Sequence, residues 1–202
     1  MQSSEATTTT SMTLEVWAGL SEDEPGEIVD DQLVEEEEVG ALHDAVTAWF
    51  VWVLKTWLAT RTGIVLVSDT RYGVAPRRGR KPDVSAYFAG RRPEPFGLVT
   101  TPPDLMIEVV SPTPNDARRD RVDKTNEYAA FGVKLYWIVD PSLRSLEIFE
   151  LGNDGRYVKA LGASGGRVDS VPGCPGLVLD LDGLWRELDQ LHGNRGRVLA
   201  RH

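Results

Sequence analysis

The amino-acid sequence predicts an α/β domain in which a mixed β-sheet is flanked by helices. Two segments, 39–61 and 116–131, carry helical spacing of apolar residues, while short runs such as "PDVSAYF", "DLMIEVV", "KLYWIVD", "SLEIFEL" and "RYVKAL" read as strands. Helices and strands are interleaved along the chain, an order that a flanked sheet satisfies better than a bundle or a sandwich. The 202 residues, 41% apolar and 26% charged, suffice for one ordinary core. No repeat or shift in composition separates a second domain, so the domain is placed at 12–190, between tails at 1–11 and 191–202.

Residues 1–11 are rich in Thr and Ser and offer little apolar surface to offset the entropy of ordering, which predicts disorder. "SMTLEVWAGL" reads as a short helix capped by Ser11 or Thr13. "GEIVDDQLVEEE" suggests two strands around an Asp30-Asp31 turn. From Val39 to about Arg61 the positions Val39, Leu42, Val46, Trp49, Val53 and Trp57 mark the apolar stripe of the longest helix, which Gly63 stops. Trp52 falls off that stripe and is assigned to a subunit interface.

The runs "IVLVSD" and "RYGVA" add two more strands. The second helix has Val122, Tyr128 and Phe131 facing inward and Gly132 as its stop. "GLVLDLDGLWRELDQLH" supplies an edge strand and a closing helix.

No apolar run is long enough to span a membrane, and "MQSSEATTTTSM" lacks the basic and apolar regions of a secretion signal, so the expected compartment is the cytoplasm. Cys174 is the only cysteine, which excludes an internal disulfide and a thiolate zinc site. The net charge of −9 argues against a broad electrostatic grip on nucleic acid. The exception is 71–92, where Arg71, Arg77, Arg78, Arg80, Lys81, Arg91 and Arg92 stand against one acid, Asp83.

Strand alternation places Leu105, Ile107 and Val109 on one face of "DLMIEVV" and Met106, Glu108 and Val110 on the other. A carboxylate in such a strand costs several kcal/mol, roughly, unless it is paired, hydrogen-bonded or bound to a metal. Asp83 opens another strand, and two carboxylates from adjacent strands can hold a hard cation such as Mg²⁺. Asp104 reads as a strand cap. His43 has no histidine partner one helical turn away, so a metal role is not expected of it.

"KPDVSAYF", "PPDLMIEVVSPTPND" and "DKTNEYAAFGVKLYWIVDP", in this order, resemble the Uma2, or DUF820, group of the PD-(D/E)XK nuclease superfamily, over roughly residues 12–186. The resemblance implies a restriction-endonuclease-like fold and a metal-dependent endonuclease that hydrolyses nucleic-acid phosphodiester bonds, most of all DNA. It implies catalytic roles for Asp83, Glu108, Lys124 and Glu27, with Asp83, Glu108 and Glu27 binding Mg²⁺ or Mn²⁺. The lysine of the superfamily motif would stand at Val110; Lys124, on the following helix, takes its place, and Tyr128 one turn on would orient it or pack. Arg77, Arg78, Arg80 and Lys81 would contact substrate phosphate, and a homodimer is expected. The competing readings are a catalytically inactive nuclease-like module that binds nucleic acid or protein, and a purely structural homodimer.

Overall fold

The computed structural model describes residues 12–21, 26–34, 40–111 and 119–192. Its centre is a six-stranded mixed sheet in the order β10-β9-β8-β7-β6-β3. The strands are β3 (Gly63–Val67), β6 (Val84–Phe88), β7 (Leu105–Val109), β8 (Leu135–Asp140), β9 (Ser145–Leu151) and β10 (Tyr157–Ala163). Only the central pair β7 and β8 runs parallel. That pair needs a crossover, and the segment between them contains the π-helical turn Arg119–Lys124 running into helix α3 (Thr125–Phe131). Gly132, in the left-handed conformation at φ 94°, ends α3 as the sequence predicts.

The two faces of the sheet are covered differently. On one lie the long helix α2 (Ala41–Leu58) and the closing helix α4 (Leu181–His192), packed through Val46, Phe50, Leu54, Leu184 and Trp185 onto Leu105, Ile107, Val109 and Trp137. On the other, α3 and β4 (Tyr72–Ala75) enclose Met106, Val110, Tyr128, Tyr136 and Ile138. The alternation read from the sequence of β7 is thus the division between two cores.

A second sheet, β2-β1-β5-β4, is built from β1 (Glu27–Val29), β2 (Gln32–Val34), β4 and β5 (Arg78–Arg80). Asp30 and Asp31 form the expected turn, both at positive φ (53° and 64°). The first helix, α1 (Leu14–Ala18), is capped by Thr13, whose hydroxyl accepts from the Val16 N–H at 3.3 Å. It buries Trp17 completely against this sheet, and Trp17 Nε1 donates to the Gly26 carbonyl at 3.1 Å. Gly79 is required there, because an added Cβ would stand 2.4 Å from the Trp17 ring.

Several boundaries differ from expectation. In the long helix, α2 ends at Leu58, and Val39 lies outside the described residues. The strand β5 was not anticipated, because "RGR" has no apolar residue to signal one. Val122 is 49% exposed instead of inward. The last strand, β12 (Leu179–Asp180), does not edge the main sheet but pairs with β11 (Arg167–Val168) as a separate ladder. Helix α4 runs to His192, into the stretch expected as a tail; 1–11 and 193–202 lie outside the described residues.

Candidate active site

Val84 pairs with Ile107, so Asp83 stands one step on, beside Glu108, at the same end of β6 and β7. Each carboxylate is fixed by its own partners. Asp83 Oδ2 accepts the Val109 N–H at 2.6 Å, and its Oδ1 lies 3.0 Å from His43 Nε2. Glu108 is only 3% exposed; its Oε2 accepts from Lys124 Nζ at 2.9 Å and its Oε1 from the Tyr128 hydroxyl at 2.5 Å. Lys124 and Tyr128 are four residues apart on one helical face, which lets both meet the same carboxylate. The π-helical turn that ends at Lys124 carries an extra residue per turn, a local geometry often found at functional sites.

Glu27 joins from β1. It is completely buried, accepts from Arg80 at 2.7 Å through Oε2 and from the Lys81 N–H at 2.9 Å through Oε1, and has Lys124 Nζ 3.5 Å away. Lys124 therefore sits between two of the sequence-assigned acids. Arg80 also donates to Glu127 at 2.6 and 2.9 Å, and Arg78 reaches Glu127 at 3.2 Å.

The electrostatics follow from this packing. Burial would raise the Glu27 carboxyl, but Lys124, Arg80 and the Lys81 N–H outweigh it and hold Glu27 below its usual range. Burial and the Glu108 charge push the Tyr128 phenol well above its ordinary value, so it remains a donor. For His43, burial pulls downward, yet the hydrogen bond to and charge of Asp83, with Asp44 beside it, leave the imidazole raised.

The four arginine and lysine positions assigned to phosphate part company. Arg77 is half exposed and pairs with Asp31 of the β1–β2 turn, and Arg78 pairs with Asp30 at 3.0 Å. Lys81 lies 3.7 Å from Asp69. Arg80, 1% exposed, directs its donors at Glu27 and Glu127, so it supports an acid in place of facing solvent and phosphate. Two residues of the cluster were not read from sequence: His43, excluded by a search for a second histidine on the same helix, and Glu127. Glu127 is found only through the fold, where Arg78 and Arg80, on one side of β5 by alternation, both reach it.

Among the described residues no three His, Cys, Asp or Glu side chains are gathered into a ready cation cage. Mg²⁺ commonly takes one or two carboxylates and completes its shell with water and phosphate oxygens, so the hard-oxygen pair Asp83 and Glu108 fits it.

A family model described as "Putative restriction endonuclease" matches residues 13–182. This chain belongs to the Uma2 family. The fold agrees: a crystal structure titled as a "putative nuclease belonging to DUF820", from Anabaena variabilis ATCC 29413, superposes with a TM-score of 0.68 at 20% identity, covering 88% of this chain and 99% of that one. No curated protein matches the sequence. Uma2 membership supports a nuclease and hence a nucleic-acid substrate. Among the described residues no helix is long and apolar enough to cross a membrane.

Proposed function

We propose that this Uma2 protein is a Mg²⁺- or Mn²⁺-dependent endodeoxyribonuclease of the cytoplasm, working as a homodimer. The observation that supports it most is the buried Glu108–Lys124 pair, 2.9 Å apart, at the end of the sheet where Asp83 stands beside Glu108. Asp83 and Glu108 would hold the cation, with Glu27 behind them. When bound, the cation would polarise the scissile phosphate and acidify a water nucleophile.

The chain's own groups do the rest. Val109 N–H fixes the Asp83 carboxylate, and Tyr128 fixes one oxygen of Glu108. Lys124, held between Glu108 and Glu27, would set its ammonium against the negative charge that develops on the phosphate oxygens. Arg80 locks Glu27 in place. Arg77, Arg78 and Lys81, on and beside the strand β5 that leads toward Asp83, would draw phosphates toward an otherwise acidic molecule. Trp52, 65% exposed on α2, is the contact assigned to the dimer, which light scattering of Trp52→Ser would test.

The decisive experiment incubates supercoiled plasmid and single-stranded DNA with Mg²⁺ or Mn²⁺, comparing wild type with Glu108→Ala purified identically. Metal-dependent cutting that disappears in the variant supports the reading; equal cutting by both refutes it. Val110 in place of an in-strand lysine favours a second reading, a binding module without activity, which would shift DNA in a gel yet never cut it.

A further inference from the structure

The proposed mechanism leaves His43 unused, although α2 carries it across one face of the sheet to Asp83. We infer that His43 is a nitrogen ligand of the cation site, joining Asp83 to form a mixed nitrogen and oxygen edge that tilts the site from Mg²⁺ toward Mn²⁺. This inference rests on the cation-dependent reading above and adds a ligand to it.

The spacing is that of two donors on one ion. His43 Nε2 and Asp83 Oδ1 are 3.0 Å apart. Two adjacent donors of an octahedral ion, each at roughly 2.1 Å, are separated by about 3.0 Å, so a cation can enter with little rearrangement of either side chain. Asp83 is oriented for this, because Oδ2 is committed to the Val109 N–H at 2.6 Å and Oδ1 is the oxygen turned toward the imidazole.

The other ring nitrogen points the same way. His43 Nδ1 is buried without a hydrogen bond and has Asp44 Oδ1 3.8 Å away. A metal-bound histidine directs its second N–H at a carboxylate, carbonyl or water, and Asp44 lies on the side where that carboxylate belongs. The imidazole is only 12% exposed, so its orientation is held by packing.

The chemistry sets the ion. Mg²⁺ prefers an all-oxygen shell, while imidazole suits the first-row transition ions. Mn²⁺ belongs to that series yet shares the Mg²⁺ liking for carboxylate and water, so a shell of one nitrogen and several oxygens suits it best.

The test uses pulsed electron paramagnetic resonance of Mn²⁺ on tag-free protein. The chain has three histidines, so the double variant His192→Gln/His202→Gln, grown on ¹⁵N-histidine, leaves His43 as the sole labelled ring. The expected result is a coupling to directly bound ¹⁵N, lost in His43→Gln, together with Mn²⁺ affinity about 10- to 100-fold weaker and Mg²⁺ affinity far less changed. Mn²⁺ bound through Asp83 without ¹⁵N coupling would overturn the ligand role of His43 and leave the proposed nuclease site standing. Absence of Mn²⁺ binding, or binding undiminished in Asp83→Asn, would overturn both. Because the coupling is read in protein that keeps His43, the outcome does not depend on the folding of a variant at that position.

Discussion

Asp104 and Glu108 lie at opposite ends of β7 and are almost equally buried, 4% and 3% exposed. Their company differs. Asp104 accepts from the Phe88 N–H at 2.7 Å and from Arg91 and Lys134 at 2.9 and 3.0 Å, and both cations reach it from partly exposed positions. No second acid is among these partners. Glu108 is served by Lys124 and Tyr128, themselves buried, and the same lysine approaches a second acid, Glu27. Burial and pairing are therefore common to both; what separates them is that Glu108 shares its lysine with a second carboxylate, the arrangement on which the proposed cation site rests.

The comparison can be broken by exchanging the consequences of mutation. The largest expected effect is on activity: Glu108→Gln, which replaces a carboxylate proposed to hold the cation, lowers metal-dependent plasmid cleavage by a factor of 100 or more, roughly the size of losing one electrostatic contributor to an active site, with a thermal melt confirming the fold. Loss of folding without loss of specific activity in the folded fraction would place Glu108 with Asp104, as a strut.

Next in size is the support behind Glu27. Arg80→Ala strands two carboxylates in a buried network and should cost about 3–5 kcal/mol, read as a lowered midpoint in urea. The conservative Tyr128→Phe removes one donor to Glu108, about 1.5–3 kcal/mol, and is expected to weaken Mn²⁺ binding or turnover while the fold persists.

The smallest effect belongs to Asp104. Asp104→Asn should cost about 1–2 kcal/mol at neutral pH, because two of its partners are screened by water, and should leave cleavage unchanged. Burial raises its carboxyl, but the Phe88 N–H, Lys134 and Arg91 outweigh that and hold it below the usual 3.8. A depressed carboxyl stabilises the fold above its ordinary range and loses that contribution as pH falls through the lowered value. The stability gap between wild type and Asp104→Asn should accordingly stay constant from neutral pH to about pH 4 and close below it. A gap that widens in acid would contradict the pairing.

The sequence makes β7 and its buried acid legible because alternation is local: a few residues suffice to put Glu108 on the face of Met106 and Val110, in the middle of an apolar strand. The family pattern puts Lys124 on the next helix, and its Nζ stands 2.9 Å from Glu108. The parts that escaped depend on contacts between distant segments. His43 meets a residue forty positions away on another element, which a search for a histidine pair within one helix cannot detect. Arg80 sits in a run of basic residues that looks like a surface patch, and only the hairpin of β5 under Trp17 turns it inward. Charge density is visible in a sequence; the direction in which a strand turns each charge is set by the partner it finds.

The π-helical turn before Lys124 has a consequence for length variation. In an α-helix each residue advances the side chains by about 100° around the axis. Deleting one residue between Arg121 and Asp123 would let the wide turn close to an ordinary one, and with α3 kept in its seat against Tyr136 the residues before the deletion would swing by about a quarter-turn or more, carrying Arg121 away from Asp140 and Glu147. Substitution of an exposed residue of this turn such as Val122 leaves the spacing intact, whereas a one-codon deletion changes it.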